Sequence, residues 1–296
     1  MNRNELFELA EKNELSGFVE IENDSDYHNG PGVSKSELDK IDISPAHYKH
    51  YKENPPEQTK AMALGSAVHT AILEPDKFST IYTVKPWLMV CQACETDWLD
   101  PVGDSTACPK CESEQIERKT LSMATKAGKA WRATSCGQIL DRAEYDKILA
   151  MQDAILNGPF SKLLTGGRAE VAMYAKCKHT DLLKRGKADY VNTEAGVIVD
   201  VKTTKDAGVD GFGRSIEKFR YNVQAAYYLD LASQITGREF SDFVFLCVES
   251  TEPYVTACYR LHDDAVSCGR QDYRENLATL KRCIDADRWP GYPEEI

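Results

Sequence analysis

The chain has 296 residues, of which 42% are hydrophobic and 28% are charged, and its formal net charge is −11. No apolar run approaches the ~20 residues of a membrane span, and the polar start MNRNELFELAEKNELSG lacks the apolar core of a signal peptide. We therefore expect a cytoplasmic protein without membrane contact. The acidic balance counts against a protein that binds nucleic acid through its bulk charge, but it does not exclude an enzyme that gathers carboxylates around a divalent metal.

The N-terminal half is predicted to be mainly helical. Residues 1–26 are polar and lack clear periodicity, so we expect a peripheral, partly mobile segment. Ser34 and Glu37 have the spacing of a capping box, which predicts a short helix after residue 34. A second short helix is expected to end at Pro55, and residues 60–78 carry apolar side chains at helical spacing.

Residues 85–120 differ in character from their surroundings and contain two C-x-x-C pairs separated by thirteen residues. Two such turns can place four thiolates tetrahedrally around Zn²⁺. An iron–sulfur cluster is the main alternative, and four free thiols are less favoured. We predict a zinc-ribbon-like insertion with a structural or DNA-binding role, whose ligands are Cys91, Cys94, Cys108 and Cys111.

The rest of the chain alternates between helical and extended patterns. Helices are expected over residues 126–140 and 143–156, after which the apolar period changes to that of strands. The outline of the second half is β-β-β-α-β-β-α. Its elements are strands at 169–178, 182–191 and 197–204, a helix at 217–234, strands at 241–250 and 254–261, and a final helix at 263–289.

The strand VIVDVKTT, residues 197–204, places Asp200 and Lys202 in an apolar run, where unpaired charges are costly. If the preceding turn pairs Asn192 with Val197, then Asp189 lies opposite Asp200, and strand alternation puts Lys202 on the same face. Two opposed carboxylates repel each other unless a cation lies between them. Oxygen ligands of this kind suit Mg²⁺ or Mn²⁺, and a nearby lysine suits metal-assisted phosphodiester hydrolysis. The alternative is a solvated hairpin with a surface ion pair.

These residues resemble a known family. A carboxylate followed about ten residues later by D-x-K resembles the signature of PD-(D/E)XK nucleases, while LGSAVHT, Gln224 and Tyr228 resemble the histidine and Q-x-x-x-Y motifs of the RecB-like branch. Together with YHNGPGVSKSELDKI and FVFLCVEST, they make the chain similar to the RecE-like exonucleases, the exodeoxyribonuclease VIII nuclease domain and its phage relatives. The resemblance implies an α/β (α+β) fold with a central mixed sheet flanked by helices. The nuclease domain would span residues 27–296 and contain the zinc-ribbon-like insertion 85–120.

The resemblance also implies roles for individual residues. His69 would bind the catalytic metal together with Asp189 and Asp200, although a single histidine on a helix is more often a packed or surface residue. Glu170 matches an acidic residue of the family, and a charged strand edge is nearly as good an interpretation. Lys202 would position the attacking water. The pair Gln224 and Tyr228, four residues apart on one helical face, would orient Lys202 or a DNA phosphate. Ala188 departs from the proline of the family name.

The implied activity is that of an Mg²⁺- or Mn²⁺-dependent exonuclease. It would degrade linear double-stranded DNA from its ends in the 5′→3′ direction and leave 3′ tails for an annealing recombinase, in a phage or prophage context in a bacterial cell. The family also implies a homo-oligomer, with a tetramer as first expectation, and a local positive channel in which we place Lys35, Arg185 and Lys187. Two alternatives stay open, namely a structure- or site-specific endonuclease and a non-catalytic zinc-ribbon DNA-binding adaptor.

Overall fold

A computed structural model describes residues 1–292, which form two compact units. One unit comprises residues 1–62 and the chain from Ala154 onward, and the other comprises residues 63–153. The helices are α1 Arg3–Glu11, α2 Asp24–His28, α3 Lys35–Ile43, α4 Pro45–Glu53, α5 Lys60–Leu73, α6 Pro75–Ile81, α7 Lys126–Thr134, α8 Arg142–Leu156, α9 Val209–Lys218, α10 Tyr221–Thr236 and α11 Asp263–Ala286. The strands are β1 Gly17–Val19, β2 Tyr82–Val84, β3 Trp87–Cys91, β4 Asp97–Asp100, β5 Ile116–Thr120, β6 Gln138–Leu140, β7 Arg168–Lys176, β8 Leu183–Asn192, β9 Val197–Thr204, β10 Asp242–Glu249 and β11 Thr256–Arg260.

The first unit is built on a six-stranded sheet with the order β1-β7-β8-β9-β10-β11. Strands β7, β8 and β9 form the predicted antiparallel meander, whereas β10 is parallel to β9 and β11 antiparallel to β10. The parallel pair is possible because α9 and α10 form the crossover between β9 and β10. The sheet is therefore mixed and flanked by helices, as predicted.

Helix α10 covers the sheet at its centre. Val223, Tyr227 and Leu231 are fully buried on one side of this helix, in the same apolar cluster as Phe243 and Phe245 of β10. Helix α11 packs against α10 and contributes further buried apolar residues to this cluster. Strand β9 lies in the middle of the sheet, which explains its nearly continuous apolar sequence.

The N-terminal segment, residues 1–26, belongs to this unit and contributes an edge strand and a buried helix side chain that its sequence did not indicate. Strand β1 pairs with β7, with Gly17 opposite Tyr174. Leu6 of α1 is fully buried in a small cluster with Tyr174. The sequence concealed this role because a short helix contributes one deeply buried side chain and an edge strand of three residues has too few positions to show alternation.

The second unit contains two small sheets. Strands β4, β3 and β5 form an antiparallel sheet in that order over the predicted insertion, and β2 pairs in parallel with β6. The helix expected over residues 126–140 ends at Thr134, because Ser135 has an extended backbone with φ −85° and ψ 137°. Gly137 then adopts a positive φ of 77°, and residues 138–140 form β6. Among the helices of residues 1–292, none combines the length and the hydropathy of a membrane span.

Candidate functional site

The hairpin of β8 and β9 has the predicted register. Asn192 pairs with Val197 and Tyr190 with Val199, so the next position on each strand is an aspartate. The backbone ladder stops there, and Asp189 Oδ2 instead accepts a hydrogen bond of 2.7 Å from the N–H of Val201. The two strands therefore separate at the aspartates, and a carboxylate replaces the backbone carbonyl that would normally face Val201.

Asp200 is the most buried acidic group of the site, with 1% of its surface exposed. Its Oδ1 accepts a hydrogen bond of 2.5 Å from Nε2 of Gln224. Its Oδ2 forms an ion pair with the ammonium of Lys202. A buried carboxylate of this kind can also serve as an oxygen ligand of a divalent metal cation.

Asp189 is perturbed in the way expected for a second metal-binding carboxylate. Desolvation, followed by the negative charge of Asp200, raises the pKa of Asp189 to about 8, while Lys202 and the N–H of Val201 act in the opposite direction. A divalent cation held between these two neighbouring carboxylates would favour the ionised form of Asp189. The pair thus fits Mg²⁺ or Mn²⁺ in its donor chemistry.

Glu170 joins these carboxylates from the neighbouring strand β7. It interrupts the ladder between the pairs Ala169–Tyr190 and Val171–Ala188 and has a positive φ of 52°, which is uncommon for a residue other than glycine. One of its carboxylate oxygens lies within 4.8 Å of an oxygen of Asp189. The structure thus brings Glu170 next to Asp189, and backbone strain at this position is typical of functional sites.

Lys202 lies between the carboxylates and an aromatic ring. Its ammonium is 4.8 Å from the ring centre of Tyr221, the first residue of α10. Burial acts to lower the pKa of Lys202, but the interactions with Asp200, Tyr221 and Asp189 together outweigh it and raise the pKa above its usual value. The side chain is therefore a cation in this arrangement, suited to hold a water molecule or a phosphoryl oxygen.

Gln224 and Tyr228 differ in what they contact. Gln224 donates its amide N–H to the buried carboxylate of Asp200, while its predicted role toward Lys202 or a DNA phosphate stays a prediction. Tyr228 packs on β8 at Gly186, where a Cβ atom would lie 3.0 Å from the Tyr228 ring. Burial raises the pKa of Tyr228 well above its usual value, so the hydroxyl stays protonated. His69 lies on α5 of the other unit and is partly buried.

The predicted positive channel was wrong in its residues. Lys35 pairs with Asp39 at 2.8 Å, and Lys187 pairs with Asp24 and Glu170. Arg185 is 4% exposed and donates to the carbonyls of Tyr27 and Gly30. These cations neutralise internal carboxylates or join segments of the chain. Sequence reasoning could not identify the two carbonyl partners of Arg185 or the Asp24 partner of Lys187, which lie 150 or more residues away along the chain.

Two residues of this region were missed from the sequence. Tyr221 lies under Lys202, and Gly186 leaves room for the Tyr228 ring. A glycine inside a strand pattern is the one signal that could have pointed to a close approach at Gly186. Tyr221 carries no such signal, since an aromatic residue at a helix start is ordinary.

The four predicted cysteines come together in the second unit. Their sulfur atoms all lie within 4.8 Å of one another, with Cys91 and Cys111 at 3.5 Å and Cys94 and Cys108 at 3.7 Å. Each C-x-x-C sequence forms a tight turn. The turns are closed by hydrogen bonds from the N–H of Cys91 to the carbonyl of Thr96 and from the N–H of Cys108 to the carbonyl of Ser113. Four thiolates converging in this way fit a closed metal site of the structural type.

Comparisons with known proteins identify a family and structures of similar chains. The model of a family described as a PDDEXK-like domain of unknown function (DUF3799) matches residues 34–296. The crystal structure of a presumed exonuclease from Eubacterium rectale is 15% identical with a TM-score of 0.54 and covers 91% of this chain and 92% of its own. That of a phage-related exonuclease from Haemophilus somnus 129PT is 10% identical with a TM-score of 0.33, covering 55% of this chain and 85% of its own. No curated protein matches the sequence.

Proposed function

The chain belongs to the PDDEXK-like family DUF3799, and we propose that it is an Mg²⁺- or Mn²⁺-dependent exonuclease that degrades linear double-stranded DNA. One observation carries the proposal. The buried carboxylate of Asp200 lies against the cationic Lys202 on a hairpin that also delivers Asp189, and an oxygen of Glu170 lies within 4.8 Å of an oxygen of Asp189. A merely structural ion pair would need one carboxylate for the lysine, whereas two neighbouring buried carboxylates repel each other unless a cation lies between them.

Asp189, Asp200 and Glu170 are the residues that would hold the metal. A divalent cation bound there would polarise the phosphate and make a bound water more acidic. Lys202 would hold the attacking water and offset charge on a phosphoryl oxygen. Gln224 fixes the carboxylate plane of Asp200, while His69 as a further ligand stays a prediction from its motif, tested by loss of cleavage in His69→Ala.

The direction of digestion follows from the resemblance alone. We expect 5′→3′ removal of nucleotides that leaves a 3′ single strand, the substrate of a strand-annealing recombinase, in the cytoplasm of a bacterial host. A homo-oligomer, with four subunits as first expectation, would be checked by light scattering. A monomer at micromolar concentration that nevertheless digests DNA processively would contradict the oligomer.

The four-cysteine site is proposed to bind one Zn²⁺ with a structural role. Its four thiolate ligands leave no open position for substrate in a tetrahedral site, in contrast to the carboxylates of the first unit. Elemental analysis of the purified protein should find about one zinc per chain. Iron together with a visible absorption band would replace this assignment with a cluster.

The decisive experiment is digestion of linear and closed circular duplexes, end-labelled on either strand, with Mg²⁺, Mn²⁺ or EDTA. The proposal expects mononucleotides or short products from linear DNA, intact circles, and no cleavage in EDTA. Nicked circles or internal fragments would make the protein an endonuclease. DNA binding without cleavage under any metal would make it a non-catalytic adaptor.

A further inference from the structure

Phe219 is an exposed aromatic residue beside the candidate active site. It follows α9 directly and exposes 49% of its surface. Its ring stacks on that of Tyr221, with ring centres 5.7 Å apart and an angle of 27° between the planes. The Tyr221 ring thus contacts both Phe219 and Lys202, the residue proposed to hold the attacking water.

The backbone around Phe219 is held firmly. Its carbonyl accepts a hydrogen bond of 2.5 Å from the ammonium of Lys35. The next residue, Arg220, has φ 50° and ψ 50°, a left-handed conformation that a non-glycine residue seldom adopts. Ion pairs from its guanidinium to Asp39 at 3.3 Å and Asp42 at 2.9 Å hold it there. These contacts fix the backbone at Phe219 and Arg220, so the exposed Phe219 ring is presented to a ligand in a fixed orientation.

The groups around the ring match a nucleotide. The ammonium of Lys218 is 5.3 Å from the ring centre, so the ring has one cation beside it and Lys202 beyond Tyr221. Flat apolar faces with cations alongside bind single-stranded DNA, since every base can stack and every phosphate is an anion. A protein partner would need a wider apolar surface, whereas Lys218 places a positive charge beside this ring.

We propose that Phe219 is the stacking platform for an unpaired nucleobase of the DNA substrate, close to the phosphodiester that is cut. This inference rests on the proposed function and deepens it, because it requires the end of the duplex to be opened before cleavage. Tyr221 then has two roles, as the support of the stacked base and as the neighbour of Lys202. A base seated on Phe219 would fix the distance between the strand end and the metal-binding carboxylates.

The test measures binding without turnover, with Ca²⁺ in place of Mg²⁺. Oligonucleotides carry 2-aminopurine, whose fluorescence falls when it stacks, at each of the last positions of either strand. Quenching is expected at one or two neighbouring positions with the wild-type protein and should be lost with Phe219→Ala. The Kd should rise by about 5- to 150-fold, the usual effect of removing an aromatic platform, and Phe219→Tyr should restore both signals. Phe7→Ala is the matched control, since Phe7 is also an exposed phenylalanine, at 38%, on α1.

Quenching that survives Phe219→Ala, or an equal loss with Phe7→Ala, would overturn the inference. Failure of Phe219→Tyr to restore binding would also overturn it, because it would indicate a structural effect of the substitution. With Mg²⁺, Phe219→Ala should raise KM more than it lowers kcat. A wild-type protein that cuts linear DNA but shows no quenching would remove the platform and keep the proposed function. Quenching by a wild-type protein that cleaves DNA with none of the metals tested would keep the platform and remove the proposed function.

Discussion

Replacing Gln224 by leucine should weaken metal binding without removing any metal ligand. The amide of Gln224 is the hydrogen-bond donor to Oδ1 of Asp200, at 2.5 Å and inside the protein. A hydrogen bond to a charged group contributes about 1.5–3 kcal/mol, which corresponds to roughly 10- to 150-fold in an equilibrium constant. Substitution of a residue that orients a metal ligand typically lowers the metal affinity by about 10- to 100-fold. We therefore expect the Mg²⁺ concentration for half-maximal cleavage to rise by about 10- to 100-fold.

The assay is an Mg²⁺ titration of cleavage of a labelled linear duplex, repeated with Mn²⁺. At saturating metal the rate of Gln224→Leu should return to within about tenfold of the wild type, because Lys202 and the carboxylates are unchanged. Gln224→Glu keeps the size of the side chain but places another carboxylate against Asp200, so it should be more damaging at neutral pH.

Gln234→Leu is the matched control. This glutamine lies on the same helix, and its Nε2 donates to the carbonyl of Lys176 at 2.8 Å, away from the carboxylates. Its metal dependence should equal that of the wild type. If Gln224→Leu folds normally and shows the same half-maximal Mg²⁺ concentration as Gln234→Leu, then Asp200 does not need its hydrogen bond and is not the ligand proposed here.

Three further outcomes are expected. Asp200→Asn and Lys202→Gln should each lower the cleavage rate by about 10²–10³ while DNA binding survives in gel-shift assays, and near-wild-type cleavage by Asp200→Asn would end the proposed mechanism. Cys91→Ser should lose zinc in elemental analysis and loosen the second unit in limited proteolysis, yet still hydrolyse short oligonucleotides; a folded variant that cannot do so would place the four-cysteine site in catalysis. In metal-free protein the pKa of Asp189 is raised to about 8, against ~3.9 in an unfolded chain, so the folded state binds this proton more tightly. The resulting contribution to the free energy of unfolding is complete below about pH 4 and is lost as the pH rises through about 8. The Tm of metal-free protein should accordingly fall between pH 5 and 8, less so in Asp189→Asn, and an identical slope in both would contradict the assignment.

The sequence predicted those parts of the site that depend on neighbouring residues along the chain. The register of the β8–β9 hairpin follows from a short turn and strict alternation, so Asp189, Asp200 and Lys202 could be placed together from residue order alone. The hydrogen bond from the N–H of Val201 to the carboxylate of Asp189 was not predictable. The alternation argument assumes that the backbone hydrogen bonds between the two strands continue past the aspartates. The contacts of Gln224 and Arg185 depend on packing between segments that are distant in sequence, and residue type alone does not identify the partner.

Strand β1 has a consequence for aggregation. Without Gly17–Val19, the nine-residue strand β7 would be the outer strand of the sheet, with a row of free backbone donors and acceptors along Ala172, Met173 and Tyr174. Long edges of this kind recruit strands from other molecules, whereas very short edge strands are a natural protection. A fragment trimmed to the residues that match the family model, 34–296, would keep every carboxylate of the site and still expose this edge. The first 33 residues therefore protect the edge of β7 against intermolecular strand pairing, and none of the carboxylates proposed to hold the metal lies among them.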